Sequence, residues 1–428
     1  MVHPEKYGTI ATTEAFPLAF VHVWMRTAVL FFVTASLFGL TMRYLFIGEI
    51  PFLSYKNILH AHSHIALMGW AFMFLSGGLM WLFIPTTTKL NHYRWLFGFN
   101  MLSGVGMVLS FPIQGYGSVS ITFSTLHLLC SYGFAYLFLS DLSKVESSGA
   151  TQFARWGVYW MVFSSIGLWA IAPVSILLGK LHPLYFMCVQ FFLHFQLNGW
   201  LTFAVLAIFT SHVQKNLPEF KVSVSGFWLL QLSLLLTYFL SVTWSTPIPA
   251  LFYINSVGVL IQAVAIFLLL KPVVASSFFT FQSTNWQQWL LTAGIGCLLI
   301  KVIIQMAVAL PVVATISYTI KNFVIGFIHI VVIGSVTLSG AGILLQNSLL
   351  PSNERSKKGW LLLLTAFLLT EIVLLGQGLL LWLSLGFIPN YHTILFAVSA
   401  LFPIALVIIA SGFWNSSASV SLNPKPNH

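Results

Sequence analysis

The feature that most constrains this chain is a series of twelve long apolar segments separated by short polar stretches. A helix that crosses the hydrocarbon of a bilayer needs about 20 mainly apolar residues. Only 6% of the residues are charged, whereas soluble globular domains carry about 25%. We therefore predict an all-α integral membrane protein, built as a bundle of twelve transmembrane helices. The predicted spans are 17–46, 57–84, 95–113, 118–140, 156–178, 183–211, 225–245, 249–270, 286–310, 321–346, 359–385 and 391–414.

Little sequence remains outside these spans. We expect an N-terminal stretch at 1–16, one twelve-span transmembrane domain at 17–414 and a disordered tail at 415–428. Prolines at or near the ends of the spans support these boundaries, since proline breaks a helix interior. Membrane lipids are therefore the expected surroundings of most of the chain.

Basic residues outside the spans fall mainly on one side of the predicted bundle. The opposite side holds Arg43, Lys56, Lys180 and Lys321. Because cytoplasmic loops of membrane proteins carry the excess of Lys and Arg, we expect both termini in the cytoplasm and the chain in a bacterial inner membrane. No basic run is longer than Lys357–Lys358, so no nucleic-acid partner is expected. The basic residues that follow even-numbered spans are Lys89, Arg94, Lys144, Arg155, Lys215, Lys221, Lys271, Arg355, Lys357 and Lys358.

Three histidines stand at alternate positions near the outer end of the second span, in NILHAHSHIALMGW (57–70). Ionisable side chains inside a span are costly and usually functional. On a helix, His60 and His64 share one face because they are four residues apart, and His62 points roughly the opposite way. This one helix can therefore contribute histidines to two different sites.

His194 in the sixth span and His329 in the tenth span lie at similar depth. At about 1.5 Å per residue, His329 lies roughly 12 Å and His194 roughly 16 Å below the outer surface. Histidines of three non-adjacent helices thus converge in the outer half of the membrane. One neutral imidazole from each of two facing helices is what a six-coordinate haem iron requires. The polar neighbours Gln196 and Asn198 also favour a functional role for His194.

Carboxylates are scarce in the spans, and Glu371 in the eleventh span is the one placed well inside. Arg26 and Lys301 are the deep cations with which it could pair. A buried pair of this kind is expected to be structural.

These features resemble subunit I of the haem-copper oxidase superfamily, which includes nitric oxide reductases. In that family, one histidine of helix 2 and one of helix 10 hold a low-spin haem. One histidine of helix 6 and two histidines of helix 7 hold copper or iron. LHAHSHIALMGW is similar to the helix 2 segment, which implies His62 as haem ligand with His60 and His64 as neighbours. FFLHFQLNGW is similar to helix 6 and implies a metal ligand at His194, and VIGFIHIVVIG is similar to helix 10 and implies His329.

The sequence also departs from that family in two places. Helix 7, in GFWLLQLSLLLTYFLSVTW, contains no histidine, and Phe327 stands where the family has a second, high-spin histidine on helix 10. The resemblance therefore implies a b-type haem between helices 2 and 10, held by His62 (or His64) and His329, with His60 and His64 as further candidate haem-binding residues. It leaves the site of a second metal, copper or iron, incomplete.

The function implied by the resemblance is electron transfer, or binding or reduction of a small diatomic gas such as O2 or NO. As an oxidoreductase, the protein would take electrons from quinol or cytochrome c. Two other functions fit the same residues. One is transport of a divalent metal or of haem through His60 and His64, and the other is a non-catalytic assembly role that keeps the oxidase fold.

Overall fold

A computed structural model of the chain describes residues 14–276, 278 and 285–420. Within them, twelve helices are long and apolar enough to cross a membrane, and each coincides with one predicted span. The predicted class, an all-α membrane-spanning bundle, is confirmed. The helices are α1 (Leu18–Tyr44), α2 (Tyr55–Phe83), α3 (Leu90–Gln114), α4 (Ser118–Leu142), α5 (Gly149–Leu177), α6 (Pro183–Asn216), α7 (Val224–Thr243), α8 (Pro249–Ala275), α9 (Trp286–Ala307), α10 (Lys321–Gln346), α11 (Glu354–Trp382) and α12 (Tyr391–Phe413).

Two minor elements complete the described chain. A short helix, Pro311–Thr319, connects α9 to α10 and begins with proline, which is well suited to the first turn of a helix. A two-residue strand β1 (Glu14–Ala15) pairs antiparallel with β2 (Thr86–Thr87) in the connection between α2 and α3.

The ends of the chain lie largely outside the described residues. These include residues 1–13 of the expected N-terminal stretch and residues 421–428 of the expected disordered tail. The helix that forms the second half of α12 begins at Leu401 and continues beyond Phe413 to Val420. The domain boundaries and the orientation in the membrane remain predictions.

Three helices, α2, α6 and α10, form the centre of the bundle. In their most apolar windows, 78%, 78% and 61% of the residues are buried, against 28–50% in the other nine spans. The three central helices also contact one another in pairs. The helices that carry the predicted site histidines are therefore the ones shielded from lipid.

The other nine helices fall into three groups, each enclosed between two central helices. The first compartment lies between α2 and α6 and is bounded by α3, α4 and α5. The second lies between α6 and α10 and is bounded by α7, α8 and α9. The third lies between α10 and α2 and is bounded by α11, α12 and α1, where contacts of α12 with α1 close the ring.

Each central helix widens into π-helical turns, with hydrogen bonds from residue i to residue i+5, directly after a histidine. The widened segments begin one residue after His64, His194 and His329. Such turns are rare and frequently mark functional sites. The segments are Ile65–Ala71, Phe195–Leu201 and Ile330–Leu338.

Candidate functional site

A short sequence motif, histidine followed five residues later by glycine, recurs at the start of all three widened segments. It reads HIALMG at 64–69, HFQLNG at 194–199 and HIVVIG at 329–334. The glycines allow close helix packing: a Cβ atom on Gly199 would lie 2.8 Å from the Trp160 side chain, and one on Gly334 would lie 2.7 Å from Cys297 Sγ. In each central helix the motif therefore places the histidine and the glycine at the same positions relative to the widened segment.

The three histidines of the motif face three different compartments. His64 packs on Phe111 of α3 in the first compartment, with ring centroids 4.3 Å apart. His194 bonds to the backbone of α7 in the second compartment. His329 lies against α11 in the third compartment, beside Glu371. No two of these motif histidines therefore face the same compartment.

His62 changes this arrangement because it points the other way from α2. Its Nδ1–H donates to the carbonyl oxygen of Ala35 on α1, across 2.8 Å. The ring lies so close to Gly39 that a Cβ atom there would be 3.1 Å from His62 Cε1. The third compartment thus receives histidines from two central helices, His62 from α2 and His329 from α10.

The contact between His329 and Glu371 fixes the second of these histidines. Nδ1 of His329 lies 3.3 Å from Oε1 of Glu371, whose side chain is 8% exposed. A Cβ atom on Gly326, one turn earlier in α10, would lie 3.0 Å from Oε2 of the same carboxylate. The expected pairing of Glu371 with Arg26 or Lys301 is therefore replaced by a pairing with His329, because α11 packs on α10 at Gly326.

Arg43 adds a cation to the third compartment. It follows Ala35 and Gly39 at four-residue steps, so all three lie on the face of α1 that His62 contacts. Arg43 is within electrostatic range of His62 and of Glu371. From the sequence, Arg43 was expected only as a charge at the end of the first span. The sequence contains a pattern that indicates this position: two small residues and an arginine at four-residue spacing, Ala35, Gly39 and Arg43, which share one face of α1.

Two imidazoles of the third compartment, His62 and His329, have surroundings that are compatible with ligands of a haem. Histidines that bind metals usually donate their other ring nitrogen to a carbonyl or carboxylate. Nδ1–H of His62 donates to a carbonyl here, and Nδ1 of His329 lies 3.3 Å from a carboxylate oxygen without a well-formed hydrogen bond. Neither Nε2 atom has a hydrogen-bond partner among the described residues. Both side chains are only partly buried although α2 and α10 are central helices. The two imidazoles are also within electrostatic range of each other.

The second compartment does not fit a metal site. His194 is buried, its Nε2–H donates to the Leu234 carbonyl oxygen across 2.8 Å, and its Nδ1 accepts from Asn198 Nδ2 at 3.5 Å. Helix α7, which contains no histidine, supplies this carbonyl. The amine of Lys301, a residue that is 1% exposed, is also within electrostatic range of His194. The metal role of His194 remains a prediction that these contacts do not support.

The first compartment holds His60 and His64, which share one helix face as predicted. Nδ1–H of His64 donates to the His60 carbonyl oxygen across 2.9 Å, and Nε2 lies 3.3 Å from the Tyr116 hydroxyl. The His60 ring packs on Tyr116 with centroids 4.4 Å apart. No carboxylate or thiol joins them, and no group of three His, Cys, Asp or Glu residues is arranged to hold a metal ion in the described part of the chain.

No protein-family model matches the sequence, and no curated protein matches it. Among solved structures, the chain is similar to a haem-copper terminal oxidase determined as a dimer by cryo-EM. The TM-score is 0.58, and the match covers 96% of this chain and 85% of the oxidase chain. This chain has the fold of a haem-copper oxidase. Because the sequences are only 14% identical, the likeness establishes the fold alone.

Proposed function

We propose that this chain is a divergent member of the haem-copper oxidase superfamily that binds one b-type haem in its third compartment. His62 of α2 and His329 of α10 would be the axial ligands. One observation supports this proposal: these two histidines face the same compartment, each with Nδ1 toward a carbonyl or carboxylate oxygen and with Nε2 lacking a hydrogen-bond partner among the described residues.

A haem held by two histidines supplies one-electron transfer between ferric and ferrous iron. The residues of the chain would hold and orient it. The Ala35 carbonyl fixes the tautomer of His62, and Gly39 leaves room for its ring. Arg43 would offset the negative charge of the haem carboxylates.

Electron transfer within a bacterial inner membrane is the function that these residues support best. A haem held by both His62 and His329 would supply electron transfer rather than binding of O2 or NO. Reduction of O2 in the family's manner would also need a second metal, and the His194 environment does not fit one. The partner would be a quinol or a cytochrome c.

The visible spectrum of the purified protein tests the proposal. We expect a sharp α band on reduction, with loss of that band in His62→Ala and in His329→Ala. His64→Ala is the matched control, because it removes a histidine two residues away that faces another compartment. A wild-type protein without haem would overturn the proposal. Bound zinc in such a preparation would favour metal transport, and a metal-free one would favour an assembly role.

A further inference from the structure

We propose that Glu371 is a positioning residue for the haem ligand His329 and that its carboxylate lowers the reduction potential of the haem. This inference rests on the proposed function. It assigns a role to a buried carboxylate that the haem site would not otherwise need.

The surroundings of Glu371 require an explanation. Its side chain is 8% exposed and lies 3.3 Å from Nδ1 of His329. Neither oxygen has a well-formed hydrogen bond to any residue that the structure describes. A buried carboxylate without partners is strongly unfavourable. The N–H of His329 is therefore the group that this carboxylate is placed to engage.

Gly326 shows that the approach of the carboxylate to His329 depends on local packing. A Cβ atom at this position would lie 2.8 Å from Leu375 Cδ2 and 3.0 Å from Glu371 Oε2. A side chain at position 326 would require the Leu375 and Glu371 side chains to shift. The absence of a side chain is thus what lets α11 bring Glu371 to His329.

The two axial ligands differ in the group behind them. Nδ1 of His62 donates to a neutral carbonyl, whereas Nδ1 of His329 faces a carboxylate. A carboxylate behind a ligating histidine makes the imidazole more basic, and a stronger donor with a nearby negative charge stabilises ferric over ferrous iron. Arg43, within electrostatic range of Glu371, offsets part of this charge.

A redox titration of the purified haem protein tests the inference. In Glu371→Gln we expect the equilibrium between ferric and ferrous haem to shift about tenfold toward ferrous, which is a rise of about 59 mV for a one-electron couple. The g-values of the ferric EPR signal should shift too, since they report the axial ligand field. Glu354→Gln is the matched control: the same substitution on the same helix, at a side chain that is 79% exposed.

Two further variants separate an effect of the charge from an effect of misfolding. Glu371→Asp keeps the charge and should keep the potential near the wild-type value. Gly326→Ala keeps every charge but displaces the carboxylate, and it should raise the potential in the same direction as Glu371→Gln. Haem-loaded variants with unchanged potential and g-values would overturn this inference and leave the proposed function intact. A wild type that binds no haem would overturn both.

Discussion

The imidazole of His62 donates its Nδ1–H to the carbonyl oxygen of Ala35 across 2.8 Å, and so it turns from α2 into the compartment that His329 enters from α10. This bond uses Nδ1 and leaves Nε2 of His62 without a hydrogen-bond partner among the described residues. Helix geometry directs His62, and not His60 or His64, toward this compartment, and the hydrogen bond to Ala35 then orients its ring.

The close approach of His62 to Gly39 yields the first prediction. A Cβ atom on Gly39 would meet the ring at 3.1 Å, so Gly39→Val should turn His62 away from its position. We expect haem content to fall by about tenfold or more, as is typical when a metal ligand loses its orientation. The pyridine haemochrome assay measures this. Gly296→Val is the control, because a Cβ atom on Gly296 has no contact within 4 Å, and an equal loss in both variants would contradict the prediction.

Arg43 provides the second prediction. Removing a cation near the haem stabilises the ferric state, so Arg43→Gln should lower the reduction potential, opposite in sign to Glu371→Gln. Haem retention during purification should also fall. Arg94→Gln, at an exposed arginine of α3, should change neither quantity. A rise of the reduction potential in Arg43→Gln would contradict the assignment of Arg43 as a positive charge near the haem.

The third prediction concerns His194. Its Nε2–H donates to the buried carbonyl of Leu234, and an unsatisfied buried group costs about 1–3 kcal/mol. His194→Leu should therefore lower the thermal unfolding temperature while leaving the haem spectrum unchanged. Metal analysis of both proteins could contradict this prediction. Copper or iron beyond the haem in the wild type, absent from His194→Leu, would show that His194 is a metal ligand.

The fourth prediction is the orientation of the chain. The excess of Lys and Arg after even-numbered spans places the connection between α4 and α5 in the cytoplasm. A cysteine at Ser147 in that connection should react with an impermeant thiol reagent only after the membrane is broken. A cysteine at Leu181, which is 90% exposed between α5 and α6, should react in intact cells. The reverse pattern would invert the assigned topology.

The spans were predictable because hydrophobic length is a local property of the sequence. The opposite faces of His62 and His64 were also predictable, since helix geometry alone decides them. The partner of Glu371 was not, because the packing of α11 on Gly326 of α10 depends on contacts between distant segments. The sequence likewise did not reveal that His194 bonds to a backbone carbonyl of α7, since a carbonyl carries no residue-specific signal.

The widened turns of the central helices coincide with a motif in the sequence. The histidine-x4-glycine motif at His64, His194 and His329 is visible in the sequence, but its meaning depends on three helices being central together. The motif aligns His64, and not His62, with the other two histidines. His62 is therefore not part of the shared motif. It is the extra histidine that gives the third compartment a second imidazole beside His329.

Chemical rescue of His62→Ala in the ferric protein, followed by EPR, tests the central claim most directly. The wild type should show a low-spin signal from iron with two imidazole ligands. The variant should show high-spin iron, and added imidazole should restore the low-spin signal, whereas His64→Ala should remain low-spin throughout. A His62→Ala protein that keeps the wild-type low-spin signal would contradict the assignment of His62 as the axial ligand opposite His329.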